Sequence, residues 1–222
     1  MLRSLNKDEE FVFKHPFRCY VAGPSCCGKT ELLQKILLNI HNLVDKPIER
    51  IVFCYSEWQK KYEIFNYLSP KVEMIQGIVK LEDFDEKTNN LLILDDLMND
   101  CKNSIEILDL FNVKSHHRNI SVFLVTQNIF TKGKCTRDLN LNSSCMIIFK
   151  NWRDVTQINF LARQMFPKKS KDFLQIFEDA CVSNDGYGYV FLDLNQNTKY
   201  DMRIQGNIIE EKGRPRIIYL LD

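Results

Sequence analysis

An α/β fold, a mainly parallel sheet with helices on both faces, is predicted by three stretches of this 222-residue chain. The first is Gly23-Pro-Ser-Cys-Cys-Gly-Lys-Thr30, which reads G-x-x-x-x-G-K-T and sits between strand formers and a run with helical spacing. The second is Leu91-Leu-Ile-Leu-Asp95-Asp96, four aliphatic residues in succession and then two acids. The third, residues 120–128, is another apolar run ending in Thr126-Gln127-Asn128. Unbroken apolar runs suit parallel strands buried on both faces, and polar tips at their C-terminal ends lie where open α/β sheets bind ligands.

In chain order, residues 1–10 are polar and charged and predict a tail or an arm for a neighbouring subunit. Residues 11–222 then predict one domain, of ordinary size for an α/β unit. A first strand ends at Ala22, and the helix after the glycine-rich loop is expected to run to about Leu43. Residues 50–55 give the second strand. Residues 57–68 predict a helix with Trp58, Tyr62 and Phe65 on one face, stopped by Pro70, and residues 71–75 a short edge strand. A helix is expected near 104–111, core strands at 120–128 and 145–149, and amphipathic helices over 154–166 and from 171 to 180. Residues 186–194 read as a late strand, and 216–220 as a segment that pairs or docks near the C-terminus.

With 45% hydrophobic and 27% charged residues the chain can build a full core and is not a disordered one. Its net charge of +1 means that nucleic acid would be met by a local basic patch, not a global field. No apolar run approaches about 18 residues and no signal-peptide core is visible, so neither a membrane span nor export by that route is expected. The eight cysteines form no C-x-x-C pair, which excludes a zinc ribbon and a thioredoxin motif. Cys54 and Cys145 fall inside strands and read as small buried hydrophobes of a reducing compartment. Cys26 and Cys27 either fill loop positions facing away from phosphate or carry a thiol pKa lowered by the helix end.

The chemistry follows from the residue types. Gly23 and Gly28 permit backbone angles that a Cβ penalises, and the N–H groups of residues 23–31 with the helix N-terminus make a nest for anionic oxygens. That loop comprises Gly23, Pro24, Ser25, Cys26, Cys27, Gly28, Lys29, Thr30 and Glu31. Lys29 is expected on the β- and γ-phosphates of ATP and the Thr30 hydroxyl on Mg²⁺. Asp95 is expected in the metal shell, and Asp96 either orients the attacking water or caps the next helix. Gln127 would sit beside the γ-phosphate and position water. The loop 131–138 carries three basic residues and either tracks a phosphate backbone or is simply solvated; Lys168, Lys169 and Lys171 read as a solvated turn, with a DNA contact as the alternative.

Taken together, residues 15–30, Ile93-Leu-Asp-Asp-Leu-Met98, residues 117–128, residues 146–154 and Leu161-Ala-Arg-Gln-Met-Phe-Pro167 resemble the genome-packaging ATPases of the FtsK/HerA superfamily. The likeness is to those of Polinton/Maverick elements and related viruses, with poxvirus packaging ATPases more distant, and covers about residues 11 to 195. It implies a RecA-like P-loop ATPase fold, in which the strands bearing the P-loop, the sensor and the acidic pair are neighbours. It further implies a motor that drives double-stranded DNA into a capsid, assembled as a homo-oligomeric ring of five or six, with capsid vertex or portal partners and a host cytoplasmic or nuclear setting. Such rings complete each site with an arginine from the next subunit; Arg118 either stands at about that place or is a favourable cation at a helix C-terminus, with Arg153 and Arg163 as second choices for the shared arginine. A departure is Asp95-Asp96 where many relatives carry Asp-Glu, which leaves the water-activating residue open. Two rival readings are a nucleotide-gated assembly scaffold with little hydrolysis and a P-loop kinase of a small acceptor, the latter without the arginine-rich lid it would need.

Overall fold

The computed structural model describes residues 2–4, 11–97, 107, 111, 118–130, 139, 141–182, 187–210 and 215–221. Its strands are β1 (Leu2–Ser4), β2 (Arg18–Ala22), β3 (Arg50–Tyr55), β4 (Val72–Gln76), β5 (Asn90–Asp95), β6 (Ile120–Thr126), β7 (Cys145–Phe149), β8 (Tyr189–Asp193), β9 (Ile204–Gly206) and β10 (Ile217–Tyr219). They join in one sheet of order β1-β10-β9-β8-β7-β2-β6-β5-β3-β4. From β7 to β4 every pairing is parallel, and from β7 to β1 every pairing is antiparallel.

Burial explains the parallel half. Every residue of β5, β6 and β7 is buried, as expected of apolar runs that need cover on both faces. One face is covered by α1 (Lys29–Leu38), whose Leu32, Leu33, Ile36 and Leu37 pack with Val21, Phe53, Ile93 and Phe123. The next helix, α2 (Ile40–Leu43), continues that layer. The opposite face is covered by α3 (Thr156–Met165) and α4 (Ser170–Val182), which bury Ile158, Leu161, Phe173 and Phe177 against Tyr20, Leu92 and Leu124. Register places β6 between β2 and β5: Ala22 lies opposite Thr126, and Asp95 opposite Val125. The loop-bearing strand, the sensor strand and the acidic strand are therefore neighbours, and their C-terminal ends open on one edge.

At the other end of the sheet a polar joint ties the strand starts. The His15 ring shares hydrogen bonds with Ser121 Oγ (2.6 Å, from Nδ1) and Asn119 Oδ1 (3.0 Å, from Nε2). Asn119 Nδ2 in turn donates to the Thr88 carbonyl at 3.0 Å, which leaves Oδ1 free to accept from the imidazole. The consistent assignment is a neutral imidazole that donates from Nε2 and accepts the Ser121 hydroxyl at Nδ1. Burial holds this imidazole below its ordinary pKa.

Several expectations are corrected. Leu2–Ser4, placed in a polar tail, pairs with β10 at the sheet edge. The single helix expected to Leu43 breaks at Asn39, whose Nδ2 donates back to the Lys35 carbonyl at 2.8 Å, a local competitor for helical hydrogen bonding. Residues 60–67 form a 3-10 turn instead of an α-helix. Its buried Tyr62 and Phe65 are three apart, the spacing that eclipses in a three-residue repeat, while Trp58 is left 47% exposed. The late strand and the pairing segment near the C-terminus are found as β8 and β10, while β9 and the antiparallel direction of this half of the sheet are unannounced by the sequence. The expected helix near 104–111, apart from the buried Ile107 and Phe111, and the basic loop 131–138 lie outside the described residues.

Candidate functional site

The sequence from Ala22 to Lys29 turns the chain from a buried strand into a helix within a few residues. Gly23 is pressed into the sheet edge: a Cβ there would lie 2.6 Å from Phe149 Cβ and 2.7 Å from Cys27 Sγ, closer than atoms allow. Gly28, the residue before α1, has φ +101°, a left-handed angle that favours glycine. Cys26 shares that region at φ 64° with a side chain in place, so the loop is bent twice. Lys29 opens α1 and folds its ammonium over the loop, donating to the carbonyls of Gly23 (2.5 Å) and Pro24 (2.8 Å). Burial pulls its pKa down, while Cys27 and Asp95 draw it up.

A cavity of about 620 Å³ opens beside this loop, within the range of small-molecule sites. Ser25, Cys26, Gly28, Lys29, Thr30 and Glu31 form one wall, and Asp95, Asp96, Thr126 and Gln127 the other. Gln59, Lys61 and Tyr187 close its sides. Asp95, 6% exposed, ends β5 and accepts a hydrogen bond on Oδ2 from the Tyr62 hydroxyl at 2.7 Å. Burial pushes the Asp95 carboxyl up, against the Tyr62 hydrogen bond and the charges of Lys61 and Lys29. The phenol of Tyr62 is raised by burial and then by Asp95, so it remains a donor. Asp96 leaves the strand with φ 55°, and its Oδ2 accepts from Gln127 Nε2 at 2.9 Å.

These residues fit a magnesium–nucleotide complex. The loop carries the Lys29 ammonium, and the positive end of a ten-residue helix faces the same space. Among the described residues no three acidic, histidine or cysteine side chains gather as a metal cage. A cation held by Thr30 and Asp95 would complete its shell with phosphate and water oxygens, as magnesium does at nucleotide sites.

Most of the predicted residues therefore meet at one cavity. Pro24 contributes its carbonyl, and Cys27 turns half-buried toward Gly23 and Phe149. Burial raises the Cys27 thiol, the opposite of the oxidation-sensitive alternative. Cys19, Cys54, Cys145 and Cys181 are buried and unbridged, as expected of core residues. Arg118 does not join the cavity: it precedes β6, at the far end of that strand from Gln127, with Nε 3.8 Å from Glu86 Oε1. Arg153, before α3, and Arg163, on it, are both exposed. Lys169 donates to the Leu221 carbonyl at 3.1 Å, an internal use of that cation. Sequence reasoning missed Gln59, Lys61, Tyr62 and Tyr187; the aromatic spacing after β3 was visible, but nothing local said that it faces an acid 33 residues away.

This fold and this loop define the chain as an α/β protein of the RecA-like P-loop NTPase fold. It is similar in structure to the genome packaging NTPase B204 from Sulfolobus turreted icosahedral virus 2. Against that protein in complex with sulfate, the TM-score is 0.57 at 14% identity, covering 86% of this chain and 95% of that one. Against its complexes with ATP-gammaS and AMPPCP the TM-score is 0.53 at 13% and 14% identity, each covering 86% of this chain and 96% of that one. No protein-family model matches the sequence, and no curated protein does.

Proposed function

We propose that this chain is the ATP-hydrolysing subunit of a ring motor that drives double-stranded DNA into a viral capsid. One observation carries the reading: the P-loop, the acidic pair and the polar sensor tip, distant in sequence, converge on a single nucleotide-sized cavity. The fold it shares with a packaging NTPase over 86% of its length supports the motor class. In the proposed reaction the loop N–H groups and Lys29 hold the β- and γ-phosphates, the Lys29 ammonium exchanging its two carbonyl partners for phosphate oxygens. Thr30 and Asp95 would hold Mg²⁺, which would supply positive charge against the negative charge developing on the transferred phosphate. Gln127 and Asp96, joined by their 2.9 Å hydrogen bond, orient water for in-line attack.

Arg118 is assigned to the neighbouring subunit's site. Its place beyond the start of β6 keeps it from its own cavity and offers it to another copy on the opposite edge of the sheet. Head-to-tail contacts of this kind close into rings. DNA contact would be to phosphates and independent of sequence, and the motor would work in the host cell at a capsid vertex or portal. A scaffold that binds ATP and scarcely hydrolyses it draws support from one feature, the short Asp96 already engaged by Gln127.

The test is steady-state ATP hydrolysis across protein concentration, with and without double-stranded DNA. Turnover that rises with DNA and climbs steeply with concentration is expected. Hydrolysis indifferent to both would remove the motor, and tight ATP binding without turnover in an assembled ring would favour the scaffold.

A further inference from the structure

Asp95 is expected to serve a metal ion with a carboxylate that is buried, yet a buried carboxylate free to rotate is a poor ligand. Its orientation is fixed from outside the P-loop motifs. The 3-10 turn of residues 60–67 brings Tyr62 under the end of β5, and its hydroxyl donates to Asp95 Oδ2 at 2.7 Å. Tyr62 cannot swing away: it is 1% exposed and packs against Phe53 (5.1 Å between ring centroids), Tyr55 (5.7 Å) and Phe65 (6.2 Å). On its outer side lies Trp58, edge-on at 5.8 Å and 47% exposed. Gln59 and Lys61, the neighbours of this aromatic pair, line the nucleotide cavity itself.

Two physical consequences follow. A phenol is a single donor on a rigid ring, so it occupies one carboxylate oxygen and leaves Oδ1 as the less encumbered one. A carboxylate so held needs no reorientation when a cation arrives, and partners outside the metal shell commonly govern affinity in this way. The aromatic pair also makes the turn an extension of the site, since any movement of Asp95 is felt by Tyr62 and by the indole set edge-on against it.

We infer that Tyr62 is a positioning residue for magnesium: it fixes the Asp95 carboxylate for the ion that accompanies the nucleotide, and residues 58–62 form a wall of the site that responds to metal occupancy. The inference rests on the proposed metal role of Asp95, and the experiment separates the two. Binding of a fluorescent ATP analogue is titrated with MgCl₂ after EDTA treatment in wild type, Tyr62→Phe and Asp95→Asn, each checked for fold by circular dichroism. Tyr62→Phe keeps the ring and removes only the donor. It is expected to raise the Mg²⁺ concentration for half-maximal effect about tenfold while leaving metal-free nucleotide binding unchanged.

An unchanged Mg²⁺ requirement in Tyr62→Phe, alongside a raised one in Asp95→Asn, would overturn the positioning role and spare the metal role of Asp95. An unchanged requirement in Asp95→Asn would remove the metal role and the inference with it. A purely structural Tyr62 would lower the melting temperature and leave the magnesium titration where it was. Should Tyr62→Phe not fold, Trp152→Phe, at an exposed site, leaves Trp58 as the sole tryptophan of the chain. Its emission is expected to change with Mg²⁺ and the ATP analogue together and not with the analogue in EDTA; identical emission in both would refute the inference.

Discussion

Replacing Arg118 by alanine asks which subunit completes a nucleotide site. The cavity lies at the C-terminal end of β6 and Arg118 just before its start, so the strand's seven residues separate them by about 20 Å at a rise of ~3.3 Å each. A unit charge at that range contributes about 0.2 kcal/mol in water, less than a twofold effect on rate. Salt of ordinary strength, with a screening length of about 8 Å, reduces even that. An arginine supplied across an interface to the γ-phosphate is worth roughly a thousandfold. The two geometries therefore differ by more than two orders of magnitude in the same variant. Arg118→Ala should bind a fluorescent ATP analogue as wild type does and lose turnover about a thousandfold. Mixing supplies the second half of the assay, since Lys29→Ala lacks a working loop and retains Arg118. In equal mixtures about a quarter of the head-to-tail junctions pair an intact loop with an intact arginine, so about a quarter of wild-type turnover should return from two inactive proteins. Turnover of Arg118→Ala within twofold of wild type would refute the role outright. A silent mixture, with both variants assembled, would show that Arg118 supports its own subunit's fold and not a neighbour's site.

Further expectations are local. Lys29→Ala removes the ammonium seated over the loop carbonyls and should weaken binding of the ATP analogue by a hundredfold or more, of the order of ~3 kcal/mol for charged hydrogen bonds to phosphate, as titration will measure. Gly23→Ala forces a methyl against Phe149 and Cys27, an overpacking of about 2 kcal/mol that should lower the melting temperature by roughly 4–8 °C in calorimetry. His15 makes stability depend on pH in a stated direction. Burial depresses its pKa below the ordinary 6.5, so in acid the unfolded chain takes up a proton that the folded chain resists. Its contribution is complete above 6.5 and falls as pH drops through 6.5 toward the folded value. Urea unfolding at about pH 7.5 and pH 5.5 should show a smaller loss in His15→Gln than in wild type; equal losses would exclude the imidazole as the cause.

How much of this was legible in the sequence divides along a physical line. Where a segment's environment is uniform, its residues announce it: Leu91–Leu94 is apolar throughout because β5 is covered on both faces, and β3 and β7 are found at the boundaries the sequence predicts. The P-loop is legible because its backbone demands particular residues at fixed spacing, Gly23 for want of room and Gly28 for its angle. The strands β1 and β9 are three residues each, too short for an alternation to rise above chance, and their partners are set by how the chain returns to the sheet. The 57–68 segment shows why periodicity alone misleads. Aromatics at 58, 62 and 65 satisfy a helical stripe, but Tyr62 is held by Asp95 from β5 and Phe65 by Phe53 from β3, and a three-residue turn serves those two contacts. The same long-range contact that overrode the helix also carried Tyr62 into the site. A residue whose function is to orient another has no spacing of its own to display, because its signal belongs to the pair, and only the fold brings the pair together.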